Sequence, residues 1–375
     1  MPKNTLPRLI YASSEESADM LYATKFSAPD AFLFLQQRGK RSILLSDLEI
    51  DRGKKQAMVD EVISLSAIEA PLEKRLKTKP AIDEIIASLL RRRGVRHAEV
   101  PTDFPLGLAH ELAKRRVTLT PVQGLFWRDR EFKTAEEIKQ IEQAIRITEI
   151  GLARGIEVLK AAEIRPKRRL RWAGQWLTSE MLRGEIDCAI IRAGGQATDT
   201  IVAGGEQACD PHERGSGPLL ANSLIILDVF PREAKTGYYG DLTRTVVRGR
   251  ASEGQRKLWH AVLEGQRYAL ENIRAGEPGK ALQDKVSELF TAAGYPTEIR
   301  EGRRVGFFHG LGHGLGLEIH ESPRIAGTDF KPGQLLTVEP GLYFPGLGGV
   351  RQEDDGVVTG RGFKVLSRFP KVLEV

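Results

Sequence analysis

The sequence predicts an α+β protein of two domains, a smaller α/β domain over residues 1–126 and a larger domain over residues 127–375. Three observations support this prediction. The chain has 375 residues, which is too long for one ordinary hydrophobic core. Short apolar runs alternate with helical patterns in the N-terminal part. Farther along, pairs of helical segments alternate with segments typical of β-hairpins, which hints at two related halves.

In the N-terminal domain, we predict strands at the apolar runs RLIYAS, AFLFLQQ, RSILLS and RVTLTPV. Arg38-Gly39-Lys40 supplies a turn between the second and third of them. The segment DEIIASLLRRRG carries apolar residues at helical spacing and stops at Gly94. No group of acid, base and nucleophile stands out here, so we expect an architectural role, as an oligomer contact or a wall of the active site.

The larger domain begins with a predicted helix over EEIKQIEQAIRITEIGLARGIEVLK, in which isoleucines recur near a 3.6-residue period. Thr134 and Glu137, three residues apart, form a capping-box signature at its start. Further helices are predicted over 171–192, 253–274 and 280–293, the last two separated by the turn residues Gly-Glu-Pro-Gly. Strands are predicted at SLIILDVF, DLTRTVVRG, LLTVEPGLYF and DDGVVTG.

The composition and the cysteine content indicate the cellular compartment in which we expect this protein. Apolar residues make up 41% of the chain, enough for a sizeable core without disulfides. The two cysteines, Cys188 and Cys209, form no Cys-x-x-Cys pair, so we expect reduced thiols, with a reactive Cys209 near His212 as the less favoured alternative. No apolar run suits a signal peptide or a membrane span. We therefore expect a cytoplasmic protein without membrane contact.

The net charge of +6 comes partly from two basic runs, RRRGVR at 91–96 and RPKRRLRW at 165–172. Runs of this kind can contact nucleic acid. These two lie far apart in sequence, contain no aromatic residue other than Trp172, and match no nucleic-acid-binding module. We expect solvated helix faces or turns, and no nucleic acid partner.

Two aspartates stand at the ends of predicted strands. Asp228 follows the apolar run Ser-Leu-Ile-Ile-Leu, and a lone buried carboxylate is costly unless it is paired. Asp241 opens the strand DLTRTVV, and the turn-rich PREAKTGYYG between the two aspartates can fold them into a hairpin. Their carboxylates would then converge. The sequence is equally compatible with an aspartate that is simply paired with Arg244 or Arg248.

Two glutamates repeat this pattern less clearly. Glu339 ends the apolar run Leu-Leu-Thr-Val, and the Pro-Gly that follows would end the strand and leave the carboxylate at its rim. Glu353 belongs to the acidic trio Glu-Asp-Asp, and taken alone it reads as an ordinary surface acid.

The segment that most strongly indicates a functional site is FFHGLGHGLGLEIHE at 307–321, in which His309, His313 and His320 are spaced by glycines. Three of the seven histidines therefore fall within twelve residues. So many glycines disfavour a helix and allow close backbone approaches. A single histidine is often a satisfied core residue, but three on such a loop indicate a site. The run lacks the Gly-Lys-Ser/Thr ending of a phosphate-binding loop.

Together these groups form an oxygen-rich donor set with one imidazole nitrogen: Asp228, Asp241, His313, Glu339 and Glu353. Such a set suits Mn²⁺, Co²⁺, Fe²⁺ or Zn²⁺ rather than a thiolate-type structural zinc. Four carboxylates around no cation would repel one another, whereas two divalent cations would nearly neutralise them. The sequence therefore predicts a metal pair.

Five motifs occur in order in the C-terminal part of the chain: Asp228, DLTRT from 241, HGLGHGLGLEIHE from 309, TVEPG from 337 and RQEDD from 351. In these motifs the sequence resembles the pita-bread (creatinase/aminopeptidase-like) metallopeptidases, namely aminopeptidase P, prolidase and methionine aminopeptidase. Residues 1–126 resemble, more weakly, the creatinase-type domain that precedes the catalytic domain in aminopeptidase P and prolidase.

The resemblance implies a role for each matching residue. Asp228 would bind one metal, Asp241 and Glu353 would bridge both, and His313 and Glu339 would complete the second. The metals expected first are Mn²⁺, with Co²⁺, Zn²⁺ or Fe²⁺ as alternatives. Glu339 would also act as general base and proton shuttle, and His212 and His320 would lie on the substrate side. Arg351 matches an arginine of the proline-directed members, and Tyr238 or Tyr239 would line the site.

The activity implied is hydrolysis of the Xaa-Pro bond, in dipeptides or at the free N-terminus of longer peptides, by a hydroxide that bridges two metals. Arg351 and the extra N-terminal domain favour this branch over methionine aminopeptidase. The choice between aminopeptidase P and prolidase stays open, and a homodimer is expected. Phe230 stands where the family usually has glycine, and the hairpin after Asp228 is two residues longer than usual. The alternatives are another hydrolase or lyase of small molecules on the same metal-binding scaffold, and a non-catalytic peptide-binding relative.

Overall fold

The structure, a computed structural model, describes residues 6–375. The chain forms two compact units that divide after Arg130, whereas the sequence placed the division after residue 126.

The N-terminal unit is built on one six-stranded mixed sheet with the strand order β4-β3-β2-β1-β5-β6. Its strands are β1 Arg8–Ala12, β2 Phe32–Gln37, β3 Lys40–Leu45, β4 Glu61–Ser64, β5 His97–Val100 and β6 Thr118–Pro121. Its helices are α1 Ala18–Thr24, α2 Ile50–Gln56, α3 Leu65–Leu76, α4 Ile82–Arg92 and α5 Leu106–Lys114. The pairs β1–β2 and β2–β3 are antiparallel. The pairs β3–β4, β1–β5 and β5–β6 are parallel.

The apolar runs of these strands are continuous because both faces of the sheet are buried. Leu9 packs in one hydrophobic cluster, and its neighbour Ile10 packs in another. Leu33 and Phe34 divide in the same way on β2. This pattern follows from the two-residue period of a strand. The strands and the helix predicted for this unit are confirmed, with α4 ending at Arg92.

The C-terminal unit carries the long helices α6 Ala135–Ala161, α7 Ser179–Arg192, α8 Glu253–Asn272 and α9 Gly279–Ala292. Its strands are β7 Glu163–Ile164, β8 Leu170–Trp172, β9 Gln175–Trp176, β10 Gly195–Gln196, β11 Ile201–Gly204, β12 Leu224–Val229, β13 Arg232–Glu233, β14 Leu242–Val247, β15 Glu298–Arg300, β16 Arg303–Val305, β17 His313–Gly314, β18 Glu321–Arg324, β19 Leu335–Val338, β20 Gly341–Phe344, β21 Gly348–Arg351, β22 Asp354–Thr359 and β23 Gly362–Val365. Short 3₁₀ helices occur at Arg128–Glu131, Pro166–Arg168, Gly205–Cys209 and Ile325–Gly327.

The start of helix α6 is as predicted. The Thr134 hydroxyl accepts from the Glu137 backbone N–H, and the Glu137 carboxylate accepts from the Thr134 backbone N–H. The prediction of a helix over 171–192 is wrong at its beginning, because α7 starts only at Ser179. Residues 170–176 form the β8–β9 hairpin instead, with Ala173 and Gly174 at positive φ in its turn. Thr178 then caps the helix.

Most of the predicted site residues lie on or next to two sheets of this unit. One has the order β11-β12-β14, and the other has the order β18-β17-β19-β22-β23. Helices α8 and α9 pack against both, around a cluster that includes Leu224, Leu258, Val286 and Leu336. The ends of β12, β14, β17, β19 and β22 are held in place by this core.

Two further expectations concern the chain as a whole. Within residues 6–375, no helix has the length and apolar character required to cross a bilayer. Both cysteines are unpaired, and burial raises the pKa of the Cys209 thiol to about 11. A thiol with so high a pKa is almost entirely protonated at neutral pH, so the structure argues against the reactive-thiolate alternative.

Candidate metal centre

A cavity of about 760 Å³ lies in the C-terminal unit. It is lined by all five predicted metal ligands, Asp228, Asp241, His313, Glu339 and Glu353, and by the predicted His212, His320 and Arg351. Residues separated by more than a hundred positions in sequence are thus brought to one place by the two sheets described above.

The first two acids are placed by a hairpin, as the sequence indicated. Strands β12 and β14 pair antiparallel, with Asp228 opposite Thr243, and Asp241 lies one residue before β14. The Thr243 hydroxyl donates to Glu353 Oε2 at 2.7 Å. The hairpin therefore orients a third acid of the site in addition to carrying two.

The glycine segment reaches the cavity by close backbone packing. A Cβ atom at Gly312 would overlap the carbonyl oxygen of Thr337 on the neighbouring strand. The Thr337 hydroxyl in turn accepts from the His313 backbone N–H at 3.2 Å. Glu339 follows β19 directly, so the two adjacent strands place its carboxylate beside the His313 ring.

The unprotonated nitrogen of the His313 ring faces two carboxylate oxygens. Its Nδ1 lies 3.0 Å from the Gly314 carbonyl oxygen, which can only accept, so Nδ1 carries the proton and donates. Burial lowers the pKa of His313 to about 3, so the ring is neutral near pH 7. Its Nε2 lone pair faces Glu339 Oε1 at 3.4 Å and Asp241 Oδ2 at 3.7 Å. An imidazole lone pair facing two carboxyl groups, each an acceptor once ionised, fits a cation between the three groups.

Three of the acids that line the cavity have raised pKa values. Burial, reinforced by the charges of Glu353 and Asp228, raises the pKa of Asp241 well above its usual value. The pKa of Glu353 is raised in the same direction, again mainly by burial. Burial raises the pKa of Glu339 to about 7, against the opposing effect of Arg351. Carboxylates this crowded are more stable when a cation balances their charge.

The donor atoms also fit a metal by position. One ligand atom from each of Asp241, His313 and Glu353 lies within 4.8 Å of the other two. Asp228 Oδ1 is buried and has no hydrogen-bond partner within residues 6–375. Buried polar atoms are rarely left unsatisfied, so a ligand for this oxygen is expected. The oxygen-rich donor set with one imidazole suits a divalent transition metal.

Arg351 lies behind Asp228. Its Nη2 donates to Asp228 Oδ2 at 2.6 Å, and its Nη1 donates to the Tyr343 hydroxyl at 2.9 Å. The Tyr343 hydroxyl in turn donates to His309 Nε2 at 2.9 Å, because Nδ1 of that ring faces the Gly310 carbonyl oxygen. Burial raises the pKa of Tyr343 to about 12 and lowers that of His309 to about 4, so both are neutral near pH 7.

These contacts identify the ion-pair partner of Asp228 and add Tyr343 and His309 to the residues that surround the site. The partner of Asp228 is Arg351, not Arg244 or Arg248, since Arg244 donates to Asp354 and Arg248 to backbone carbonyls. Nothing in the sequence indicated Tyr343, and His309 received no role of its own although it is one of the three histidines of the glycine segment. His309 could have been included because it stands in the glycine segment. Tyr343 carried no signal, as an aromatic residue in a buried strand is usually core.

Exposed side chains also line the cavity. His212 and His320 both line it, and the His320 ring lies 4.4 Å from the His313 ring, centroid to centroid. Arg324 also lines it and forms no ion pair with any acid of residues 6–375. Phe230, at the position where the sequence departs from the family pattern, forms part of the apolar lining.

Neither tyrosine proposed as a lining residue is among the described residues that line the cavity. Tyr238 is buried, and its hydroxyl donates to Glu137 Oε1 at 2.8 Å. The Tyr239 backbone N–H donates to the Gly316 carbonyl oxygen at 2.9 Å. Their partners, Glu137 and Gly316, are likewise not among the described residues that line the cavity.

With this geometry established, the comparison with known families is decisive. The sequence model of metallopeptidase family M24 matches residues 139–360. The chain belongs to metallopeptidase family M24. The family and the α+β pita-bread fold predicted from the motifs are therefore confirmed, and M24 membership together with the donor set implies a divalent metal ion.

Individual M24 relatives extend the match over the whole chain. A Xaa-Pro dipeptidase of Pyrococcus furiosus is 34% identical over 247 residues, covering 64% of this chain and 64% of that protein. A Xaa-Pro dipeptidase of Pyrococcus horikoshii is 28% identical over 380 residues, covering 100% of this chain and 96% of that protein. The solved structure of a Xaa-Pro dipeptidase from Bacillus anthracis is 25% identical, has a TM-score of 0.81, and covers 98% of this chain and 95% of its own.

Proposed function

We propose that this M24 metallopeptidase is a Xaa-Pro dipeptidase that works with two divalent cations, Mn²⁺ being the first candidate and Co²⁺, Zn²⁺ or Fe²⁺ the alternatives. The names of the two Pyrococcus relatives and of the Bacillus anthracis structure support the Xaa-Pro specificity. Five converging ligands support a pair of cations, since four carboxylates exceed what one divalent ion balances.

Each ligand has a proposed place in that pair. Asp228 would hold one cation, and its unsatisfied Oδ1 is the atom available for it. Asp241 and Glu353 would be shared, and His313 and Glu339 would hold the other cation. When bound, the cations supply Lewis acidity, which makes a water molecule more acidic and polarises a carbonyl group.

The chain's own residues supply the proton transfers. The Glu339 side chain is 18% exposed, against 6% for Asp241 and 11% for Asp228, so it is the acid most open to the cavity. We assign Glu339 the transfer of a proton from the attacking water to the departing proline nitrogen. His320 and His212 also line the cavity, where they would orient the scissile carbonyl.

Arg351 would act through Asp228 rather than on the substrate. It is 3% exposed, and two of its guanidinium nitrogens are engaged by Asp228 and Tyr343. It holds the Asp228 carboxylate in a fixed orientation and leaves the second oxygen of that group for a cation. This makes Arg351 a positioning residue of the proposed mechanism.

The position of Arg324 on the cavity wall favours a dipeptidase over an aminopeptidase. Its Cα is the direct register partner of His313 in the β17–β18 pair, so its backbone is about 5 Å from a metal ligand. Its guanidinium is on the cavity wall and unpaired with any described acid. A cation so close to the metals suits the carboxylate of a two-residue substrate. A longer peptide would place an amide there instead.

The test compares a Xaa-Pro dipeptide, the same dipeptide with an amidated C-terminus, and a Xaa-Pro-Yaa tripeptide, each with Mn²⁺ or Co²⁺. We expect the dipeptide to be preferred, and Arg324→Met to raise its KM roughly tenfold or more, the worth of one charge-assisted hydrogen bond. Hydrolysis of the amide should not change. Arg192→Met, at an exposed arginine near the end of α7, is the matched control. No cleavage of any of the three substrates would exclude the proposed function.

Two accompanying proposals rest on the family resemblance. We propose that the chain forms a homodimer, which sedimentation analysis would detect as twice the 41.6 kDa chain mass. We also propose a cytoplasmic location, with which two unpaired cysteines are compatible. Cell fractionation tests the second point.

A further inference from the structure

A buried ion pair lies behind the substrate side of the cavity. Lys133 Nζ donates to Glu321 Oε1 at 2.5 Å, and the two side chains are only 2% and 1% exposed. The pair joins residues 188 positions apart. Removing two charges from water is expensive, so a buried pair is weak evidence for stability and calls for another explanation.

The position of Glu321 suggests what that explanation is. Glu321 directly follows His320, and it begins β18, the strand that ends at Arg324. Its side chain is buried, while the side chains of its two functional neighbours face the cavity. The carboxylate also packs against Gly316, where a Cβ atom would overlap it. One buried anchor therefore lies in the middle of the segment that carries both substrate-side groups.

The other end of the pair is rigid. Lys133 immediately precedes Thr134, the N-cap of the 27-residue helix α6. Its backbone N–H donates to the Gly333 carbonyl oxygen at 2.8 Å, which ties it to the sheet as well. A lysine on a mobile loop could follow Glu321 wherever it moved, but a lysine held at both sides fixes the carboxylate in space.

The same first turn of α6 braces a second wall of the cavity. Glu137 accepts from the Tyr238 hydroxyl in the Asp228–Asp241 hairpin. Tyr239 of that hairpin donates its backbone N–H to Gly316 in the glycine segment. The start of the helix, the hairpin and the glycine segment thus form a closed set of contacts, to which the Lys133–Glu321 pair contributes an ion pair.

We propose that the buried Lys133–Glu321 pair is a positioning device that holds His320 and Arg324 at their working distance from the metal ligands. The proposal rests on the proposed function, because that function gives the two side chains their substrate contacts. Lys133 touches no substrate. Its removal should displace the segment from 315 to 324 and leave the hairpin acids in place.

The first measurement is steady-state kinetics of Lys133→Met on a Xaa-Pro dipeptide, well below the unfolding temperature. We expect kcat/KM to fall roughly 10- to 100-fold, as for a misplacement of about 1 Å, with metal content unchanged. Arg130→Met is the matched control, since it also removes a buried cation from an ion pair, Arg130–Asp19 at 2.8 Å, in the N-terminal unit. Its kcat/KM should stay near that of the unaltered protein. Equal losses in both variants would overturn the proposal.

A double-mutant cycle separates positioning from general weakening of the fold. If Lys133 acts through His320 and Arg324, then adding Lys133→Met to His320→Ala/Arg324→Met should lower kcat/KM by no more than about threefold further. Independent effects that multiply would overturn the proposal. Where the single variant fails to fold, Lys133→Met/Glu321→Gln replaces it in the cycle, because it leaves no unpaired buried charge.

A crystal structure of the variant decides the point without any substrate. The His320 and His313 ring centroids, now 4.4 Å apart, should separate, while Asp228 and Asp241 keep their places. An unmoved His320 ring overturns the positioning role. If the unaltered protein cleaves no Xaa-Pro substrate, the proposed function fails, and this structural result still decides the inference.

Discussion

Glu339 should make the metal-free protein sensitive to pH in a direction opposite to that of an ordinary paired carboxylate. Burial raises the pKa of Glu339 from 4.5 to about 7 in the folded chain. Between these two values the folded state therefore holds a proton that the unfolded state has released. The contribution of Glu339 to stability is fully present below pH 4.5 and is lost as the pH rises through 7.

The size of this effect follows from the shift. A difference of about 2.5 pKa units corresponds to about 3 kcal/mol, at 1.36 kcal/mol per unit. The side chain is 18% exposed, so no large correction for solvent screening is needed. For a unit the size of residues 131–375, this corresponds to a change in Tm of about 6–12 °C.

The assay is thermal unfolding of chelator-treated protein at pH 4.5 and at pH 7.5, for the unaltered chain and for Glu339→Gln. The buried histidines titrate with the opposite sign in both proteins, because their pKa values are lowered. The charge of Glu339 also helps to raise the pKa values of Asp241 and Glu353, so the difference between the two proteins reports Glu339 together with its effect on these neighbouring acids. We expect the unaltered chain to lose about 3 kcal/mol relative to the variant on going to pH 7.5.

Adding Mn²⁺ provides the complementary measurement. The ligands must release protons to bind a cation, so metal affinity should rise with pH and restore the stability lost at pH 7.5. The reasoning is refuted if metal-free Glu339→Gln follows the same pH curve as the unaltered chain. It is refuted equally if Glu339 makes the metal-free protein more stable as the pH rises.

Three further changes have defined outcomes. Asp241→Asn should abolish peptidase activity and lower the metal content measured by elemental analysis, because it removes a buried ligand charge; full metal content with full activity would contradict its assignment. Gly312→Ala should destabilise the fold by about 1–3 kcal/mol in urea unfolding, because its Cβ would meet the Thr337 carbonyl, whereas Gly310→Ala, in open space, should have almost no effect. Thr134→Ala should cost about 1 kcal/mol by loss of the N-cap, and an unchanged midpoint would argue against that cap.

The elements that carry the site were predictable because their signals are local. The apolar run before Asp228 and the turn residues after it are enough to indicate a hairpin, and β12 and β14 form it. The capping box at Thr134 and Glu137 is likewise local, and α6 begins there. The glycines of 310–316 indicated close backbone packing, which Gly312 shows against Thr337.

Contacts between distant segments were not predictable in this way. Glu353, which reads alone as a surface acid, is 2% exposed, because β22 lies inside the five-stranded sheet. Nothing near Asp228 indicates that its cation partner is Arg351, 123 positions away. The start of α7 was misplaced because Arg171 and Trp172 are compatible with a helix, and only the left-handed turn at Ala173 and Gly174 excludes it.

The proposed selectivity for a short substrate would follow from strand pairing. The segment from His313 to Arg324 carries a proposed metal ligand at one end and the proposed carboxylate anchor at the other. These two residues are paired across β17 and β18, so their separation is set by backbone geometry and not by the length of the segment between them. The intervening loop is constrained at Gly316, where a Cβ would overlap the Glu321 carboxylate, and at His320, which lines the cavity. A longer substrate would place an uncharged amide beside Arg324 and would lose the charge-assisted hydrogen bond that a free carboxylate makes there.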